Sequence, residues 1–288
     1  MRRALIVHGG CGTPPSGEEA LRRAACERAA DVGWRVLQQD GNALDAVELA
    51  VRALEDEPLL NAGTGAYLQA DGVARLDASV MDAAGRAGAV AQVPLLRHPV
   101  SLARYLLDQD AHVMLSGSEA LALALRLGHE TGVVATPAKI DYWQSRLDDA
   151  CRRLDYAAMA EAWKRENPRL GTVGAVALDG SGRLAAATST GGTGQCYPGR
   201  VGDTPVIGAG TYCTPRVGVS MTGIGERIMV KLSAKRLADL VADGQPIAVA
   251  AGRVLDEIGV GAGLIAIDAD GTIVELRRTR FMAAARRA

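Results

Sequence analysis

The residues best suited to chemistry crowd into one stretch of this chain. From Gly171 to Glu226 it reads GTVGAVALDGSGRLAAATSTGGTGQCYPGRVGDTPVIGAGTYCTPRVGVSMTGIGE, with Thr172, Thr190, Arg200, Asp203 and Thr222 inside it. A threonine hydroxyl is a weak nucleophile near neutral pH and needs a base close by. An arginine makes a two-pronged clamp for a carboxylate, and an aspartate three residues on can pair with an ammonium. Each feature also has an ordinary reading. By itself Thr172 opens a strand, Arg200 and Asp203 form an exposed salt bridge of little energetic value, and Thr222-Gly223-Ile224-Gly225 is a strand-to-helix turn with a capping threonine. Other familiar constellations are missing from the sequence: there is no G-x-S-x-G elbow, no P-loop and no H-E-x-x-H. His8, His98, His112 and His129 are far apart in the chain. His8 ends a strand and reads as structural, and His98 precedes a proline and reads as a turn residue.

Positioning such groups takes a core, and the composition supplies one. Of 288 residues 48% are hydrophobic but only 3% aromatic, so the core is built from Ala, Val, Leu and Ile. That length suits one large domain or two small ones. Residues 4–8 read as a short buried strand closed by a Gly9-Gly10 turn. Ser16-x-x-Glu19 is a capping box that opens a helix to about Gln39, with Gly41 as its stop, and Asn42-x-x-Asp45 opens a second. Residues 64–80 alternate like strands around a turn at Asp71-Gly72. Ser101 and Ser118 cap two more helices, and residues 139–166 are helical and highly charged. After Pro168 the pattern changes. Residues 172–179 and 183–190 form a hairpin, 205–212 and 216–222 are two more strands, helices span about 224–243 and 246–257, and 263–268 with 272–277 make a closing hairpin. The only convincing boundary falls at 167–171. Antiparallel hairpins with helices in paired blocks point to a layered α/β sandwich.

The net charge of -1 gives no electrostatic reason to expect nucleic acid or an anionic membrane as partner. Five scattered cysteines without a C-x-x-C pair argue against a disulfide framework or a zinc site and for reduced thiols in a cytoplasm. The apolar run at the N-terminus is too short for a signal peptide, and no stretch is long enough to span a bilayer.

Over most of its length the chain resembles the isoaspartyl peptidase/plant-type asparaginase family of N-terminal-nucleophile hydrolases. The matching motifs run in order: VHGG at 7–10, LEDEPLLNAGTGA at 54–66, LDASVMD at 76–82, AGAVAQV at 87–93, GTVGAVALD at 171–179, AAATSTGG at 185–192, PGRVGDTP at 198–205, GAGTY at 208–212 and T-G-x-G-E at 222–226. The resemblance implies a four-layer αββα sandwich, one domain over 1–288, cut by the chain itself between Gly171 and Thr172. The α chain (1–171) and β chain (172–288) stay associated because both feed the same sheets, and two such pairs form a homodimer. Thr172 is then the nucleophile. Its freed α-amine, with a pKa of about 7.7–8.0, is the general base, close to working pH as a base should be. Gly171 leaves the scissile carbonyl open and the backbone free to strain.

The same resemblance assigns further roles. Thr190 orients Thr172, and Thr222 with Gly223 forms the oxyanion hole. Arg200 and Asp203 take the α-carboxylate and α-amine of an aspartyl group, Gly225 meets the amine through its backbone, and Asn61 lines the site. The substrates are L-asparagine and β-aspartyl dipeptides, and no catalytic cofactor is needed. The loop at 54–66 holds a structural sodium ion through the carbonyls of Leu54, Glu55, Glu57, Leu60, Ala62 and Thr64, hard oxygen ligands that suit such an ion.

The chain departs from the family at Thr193-Gly194-Gln195-Cys196-Tyr197, which bears on the leaving group. It also departs at Ser79, where relatives commonly carry Cys and only packing should change, and in the charged linker before Thr172. A glycosylasparaginase tends to carry Asp before the nucleophile and T-S-T-N-G after it, whereas this chain has Gly171 and Thr190-Gly191-Gly192. Nothing marks the extended acidic-peptide groove of a threonine endopeptidase. A non-catalytic binding protein on the same scaffold would be expected to lose Thr172, Arg200 or Asp203, and all are present. A precursor that cuts itself inefficiently stays open as an alternative.

Overall fold

The computed structural model describes residues 2–132, 134–165 and 171–288, with residues 164 and 165 in backbone only. In chain order the elements are β1 (Ala4–Gly12), α1 (Glu18–Gln38), α2 (Ala43–Glu55), β2 (Arg75–Asp82), β3 (Ala87–Pro94), α3 (Pro99–Gln109), β4 (Met114–Ser116), α4 (Gly117–Arg126), α5 (Pro137–Ser145), α6 (Asp149–Arg153) and α7 (Tyr156–Arg165). They continue with β5 (Val173–Leu178), β6 (Leu184–Thr190), β7 (Thr211–Cys213), β8 (Val217–Gly223), α8 (Gly225–Val230), α9 (Ser233–Ala242), α10 (Ile247–Ile258), β9 (Ala262–Asp268), β10 (Ile273–Arg277) and β11 (Phe281–Arg287). The strands form a seven-stranded sheet, β11-β1-β5-β6-β2-β3-β4, and a four-stranded one, β10-β9-β8-β7. Pairing is antiparallel except between β3 and β4.

The period-two alternation of the strands sorts their side chains into layers. Leu5, Val7, Val173, Ala175, Ala185 and Ala187 pack with α1–α3 on the outer face of the large sheet. Val217, Val219 and Met221 pack with α9 and α10 outside the small sheet. Ala4, Ile6, Val176, Leu178, Leu184 and Ala186 meet Ile265 and Ile267 between the sheets. The result is the expected four-layer αββα sandwich. The same alternation sends Thr188 and Thr190 of β6, Ser220 and Thr222 of β8, and Asp77 and Ser79 of β2 into the middle layer. That layer is therefore apolar over one part and hydroxyl-rich over another.

Several boundaries differ from the sequence reading. The Ser16–Glu19 capping box does not form, because the chain enters α1 through a left-handed Gly17 and no side chain caps the helix. Asn42 does cap α2, accepting from the Asp45 N–H at 2.9 Å. Helix α3 starts at Pro99, whose fixed φ suits a first helical turn, so Ser101 lies inside it and bonds Glu48 at 2.7 Å. Helix α4 is entered through Ser116 rather than Ser118. Of residues 64–80 only the end is a strand, although the turn at Gly72 (φ 79°) is present. Residues 205–210 are turns closed by Val206 N–H to Asp203 C=O and Ala209 N–H to Val206 C=O, leaving a strand of three residues. The helix over 224–243 breaks at Leu232 (φ 46°). Strands β3, β4 and β11 were not anticipated, and the described part of the charged 139–166 segment carries three helices, α5 to α7. The boundary at 167–171 and the charged linker lie largely outside the described residues. No described helix is long and apolar enough to cross a membrane.

Candidate active site

The site begins at an irregularity in β1. Its register with β11 shifts between His8 and Cys11, and Gly10 within that bulge has φ 92°. A Cβ on Gly10 would lie 3.0 Å from both Gly171 Cα and Thr172 N. Only glycine lets the bulge rest against this peptide bond. The next residue, Cys11, donates its N–H to Thr222 Oγ1 at 3.3 Å. The bulge thus joins the peptide bond on the large sheet to Thr222 at the end of β8 on the small one.

Around the Gly171–Thr172 bond the hydrogen bonds have one consistent direction. Thr190 Oγ1 donates to Gly171 C=O at 2.8 Å and accepts the Gly192 N–H at 3.0 Å. Thr172 Oγ1 donates to Thr190 Oγ1 at 3.4 Å. Asn61 Nδ2 donates to the same Gly171 C=O at 2.8 Å and to Gly192 C=O at 2.6 Å, while its Oδ1 accepts from Tyr67 N–H at 2.9 Å. Thr172, Thr190 and Asn61 are all buried. The Gly171 carbonyl therefore faces two donors, with the Thr172 hydroxyl alongside. A cavity of about 250 Å³, lined in part by Gly10, Tyr67, Gly171 and Ile224, opens next to it.

Arg200 and Asp203 are not a surface salt bridge. Asp203 is 4% exposed, and its Oδ2 is buried without a hydrogen-bond partner. Burial pushes its carboxyl up to about 7, against the lowering pull of Arg200. The two residues converge on Gly225, where a Cβ would come within 2.8 Å of Arg200 Nη2 and 2.9 Å of Asp203 Oδ1. An unpaired buried carboxylate beside a guanidinium is the complement of a zwitterion.

Sequence reasoning missed the residues that hold this pair. Glu226 bonds Arg200 Nε at 2.8 Å, and Gln92 Nε2 donates to Arg200 C=O at 2.7 Å. Gln92 N–H in turn bonds buried Asp77 at 2.7 Å, whose carboxyl burial raises to about 6. Glu226 stands in the T-G-x-G-E motif, which was the available signal. Trp163 of α7 lies 6.0 Å from Arg200 across its ring. The divergent loop at 193–197 packs on α5 and α7, with Gln195 Nε2 donating to Trp143 C=O at 2.9 Å and Tyr197 edge-on to Tyr156.

Among the described residues no cluster of three His, Cys, Asp or Glu could hold a metal ion. The 54–66 loop offers backbone oxygens instead. A Cβ on Gly63 would sit 2.5 Å from Glu55 O and 2.6 Å from Arg97 O, and one on Gly65 would sit 2.6 Å from both Pro58 O and Leu60 O. The carbonyls of Leu54, Glu55 and Glu57 accept from Glu57, Thr64 and Leu60 N–H respectively. No backbone N–H of a described residue pairs with the carbonyls of Leu60, Ala62 or Thr64. The Glu55 carboxyl is fully buried, with one oxygen unpartnered and its pKa raised to about 8 by burial. Carbonyls without backbone partners are hard oxygen ligands of the kind a monovalent cation takes.

Comparison with known proteins covers the whole chain. The family described as asparaginase matches residues 1–288. The chain is 38% identical to a plant-type L-asparaginase of Thermococcus kodakarensis, over 97% of this chain and 94% of that protein. It is 40% identical to an isoaspartyl peptidase of Escherichia coli, over 95% and 89%. It is also 40% identical to an isoaspartyl peptidase/L-asparaginase of Bos taurus, over 83% and 76%.

Proposed function

We propose that this chain, which belongs to the asparaginase family, is a self-processing threonine hydrolase that releases aspartate from asparagine or β-aspartyl dipeptides. The observation that carries the reading is the Gly171 carbonyl, held by Asn61 and Thr190 beside the Thr172 hydroxyl. Attack of Thr172 Oγ1 on that carbonyl carbon puts negative charge on an oxygen that already has two donors, the arrangement that stabilises an oxyanion. The acyl group moves from nitrogen to oxygen. Water then hydrolyses the ester, freeing the Gly171 carboxylate and the Thr172 amine.

The freed amine takes the proton of its own hydroxyl. In turnover the hydroxyl attacks the side-chain amide of the substrate, and the Thr222 hydroxyl with the Gly223 amide holds the new oxyanion. The Thr222 oxygen already accepts from Cys11 N–H, which leaves its proton to donate. Ammonia, or the amine of a dipeptide, departs with the proton the Thr172 amine had collected. A water molecule deprotonated by that amine then releases aspartate. Arg200 anchors the α-carboxylate, and Asp203 with the Gly225 backbone anchors the α-ammonium.

The carbonyls of Leu54, Glu55, Glu57, Leu60, Ala62 and Thr64 would hold a sodium ion that stiffens the loop carrying Asn61. The working form is a homodimer of αβ units. Five free, buried cysteines suit a reducing cytoplasm. Intact-mass analysis over days tests the reading. Two fragments, one starting at Thr172, are expected from the native sequence and one uncut inactive chain from Thr172→Ala. An active, uncut Thr172→Ala protein would remove the mechanism.

A further inference from the structure

Between the sheets a run of buried hydroxyls crosses from one sheet to the other at each of its first four links and ends on the turn before β7. His8 Nε2 of β1 meets Ser220 Oγ of β8 at 2.9 Å. Ser220 Oγ meets Thr188 Oγ1 of β6 at 2.8 Å, and Thr188 meets Thr211 Oγ1 of β7. Thr211 Oγ1 lies 2.8 Å from Ser79 Oγ of β2, which lies 2.6 Å from the Thr204 carbonyl. All five side chains are fully buried. A Cβ on Gly174 would fall 2.0 Å from Ser220 Oγ and 2.6 Å from His8 Nε2, so the first link exists only because β5 carries glycine there.

Counting protons fixes the direction. Each of the five contacts needs one proton. The carbonyl supplies none and the four hydroxyls supply one each, so the fifth sits on His8 Nε2. Every group then donates away from His8: Nε2–H to Ser220, Ser220 to Thr188, Thr188 to Thr211, Thr211 to Ser79 and Ser79 to Thr204 C=O. A 3.4 Å approach of Thr188 Oγ1 to Gly210 C=O is too long to compete with the much shorter contact to Thr211. His8 Nδ1 has no partner at full hydrogen-bond geometry, and burial lowers the ring's pKa to about 3 against a weaker upward pull from the Thr172 backbone.

We infer that this directional chain sets the position of one sheet against the other, and that His8, Ser79 and Ser220 act through it as positioning residues for the reaction proposed above. Apolar burial is non-directional, whereas a slip between the sheets would break the links one after another. The links lie next to the chemistry. Thr222 is two residues beyond Ser220, Thr190 two beyond Thr188, Thr172 two before Gly174, and Asp203 adjoins Thr204. Ser79, expected to matter only for packing, is the donor that ties the Asp203–Thr204 backbone to the large sheet.

The test needs no substrate at its first stage. In ¹⁵N-histidine-labelled protein at pH 7, His8 is expected as the uncharged Nε2–H tautomer with a slowly exchanging proton, assigned by elimination using His98→Gln, His112→Gln and His129→Gln. An Nδ1–H tautomer or an imidazolium at His8 overturns the chain, whatever the enzyme acts on. The second stage uses Ser79→Ala, at the end far from His8. It is expected to raise KM for asparagine roughly fivefold, about the net value of one hydrogen bond, with kcat near wild type. It should also move the His8 Nε2–H resonance through the polarised links. Ser79→Cys, with a weaker donor, should fall between the two and carries the comparison should the alanine variant not fold. Wild-type KM together with an unmoved resonance would show that the links do not act as one.

Discussion

Asn61→Ala separates self-cleavage from stability. The Asn61 side chain makes three buried hydrogen bonds: to Gly171 C=O at 2.8 Å, to Gly192 C=O at 2.6 Å and from Tyr67 N–H at 2.9 Å. Only the first bears on the scissile carbonyl. Losing one donor of an oxyanion pair costs about 2.7–4 kcal/mol of barrier, or on the order of 10²–10³ in rate. Thr190 remains as the second donor, so cleavage should be slowed and not abolished. The three lost bonds cost roughly 1 kcal/mol each in stability, which a fold of ordinary stability, about 5–15 kcal/mol, survives. The assay follows disappearance of the uncut chain on a denaturing gel, beside a thermal melt of the same sample. Asn61→Asp keeps the shape but sets a carboxylate against two carbonyls, and should cleave no faster than the alanine variant. A folded Asn61→Ala protein that matures within tenfold of the wild-type rate would refute the assignment of Asn61 as a cleavage donor.

Arg200→Ala should mature normally yet raise KM by roughly 10–100-fold, the loss of a charge-assisted pair, read from initial rates with asparagine. Thr222→Val keeps the volume and removes the hydroxyl. It should lower kcat by about 10²–10³ while intact mass shows normal fragments. Asp203 must be ionised to take the substrate ammonium, and its carboxyl sits near 7 because it is buried. The Thr172 amine must also be unprotonated, so log kcat/KM should fall with a slope approaching two as pH drops below about 7. A slope of one over that range would exclude Asp203 as a titrating anchor. Replacing sodium by tetramethylammonium should lower Tm by roughly 5 °C through loss of binding linkage, and an unchanged melt would remove the ion from the 54–66 loop.

The middle layer was legible where alternation is strict. In VGVSMTG the polar residues fall on one parity and the large apolar ones on the other, so the pattern itself aims Ser220 and Thr222 at one layer, whereas LAAATST carries Thr188 and Thr190 on one parity and Ser189 on the other. The strand AGAVAQV is small and apolar apart from Gln92 and has no parity to read. FMAAARR is rich in alanine, which favours helices in isolation, yet it becomes β11 because β1 offers an open edge. The capping box at Ser16 failed because a glycine at position 17 can adopt φ 86°, a choice that a sequence permits without announcing. The sequence marks Glu226 only through the T-G-x-G-E motif and gives no sign of Gln92 as a support for Arg200. Their partners are long-range, and Gln92 works from a left-handed backbone (φ 56°) that nothing in its neighbours foretells. The Arg200–Asp203 pair shows the same limit. Residue spacing left a surface salt bridge and a zwitterion clamp equally open, and only burial separates them.

In the proposed mechanism one hydroxyl attacks two different carbonyls, and the fold offers two sets of donors on two sheets. Gly171 C=O is held from the large-sheet side by Asn61 and Thr190. Thr222 and Gly223, at the end of β8, belong to the small sheet and reach the peptide bond only through the Gly10–Cys11 bulge. If Gly171 leaves as proposed, Asn61 retains its bonds to Gly192 and Tyr67. On that proposal the two donor sets act on successive reactions of the same nucleophile. Damage to Asn61 should therefore delay the appearance of mature enzyme without a matching loss of turnover in the fraction that matures. Damage to Thr222 should do the reverse, and the double variant should show both defects at close to their separate sizes.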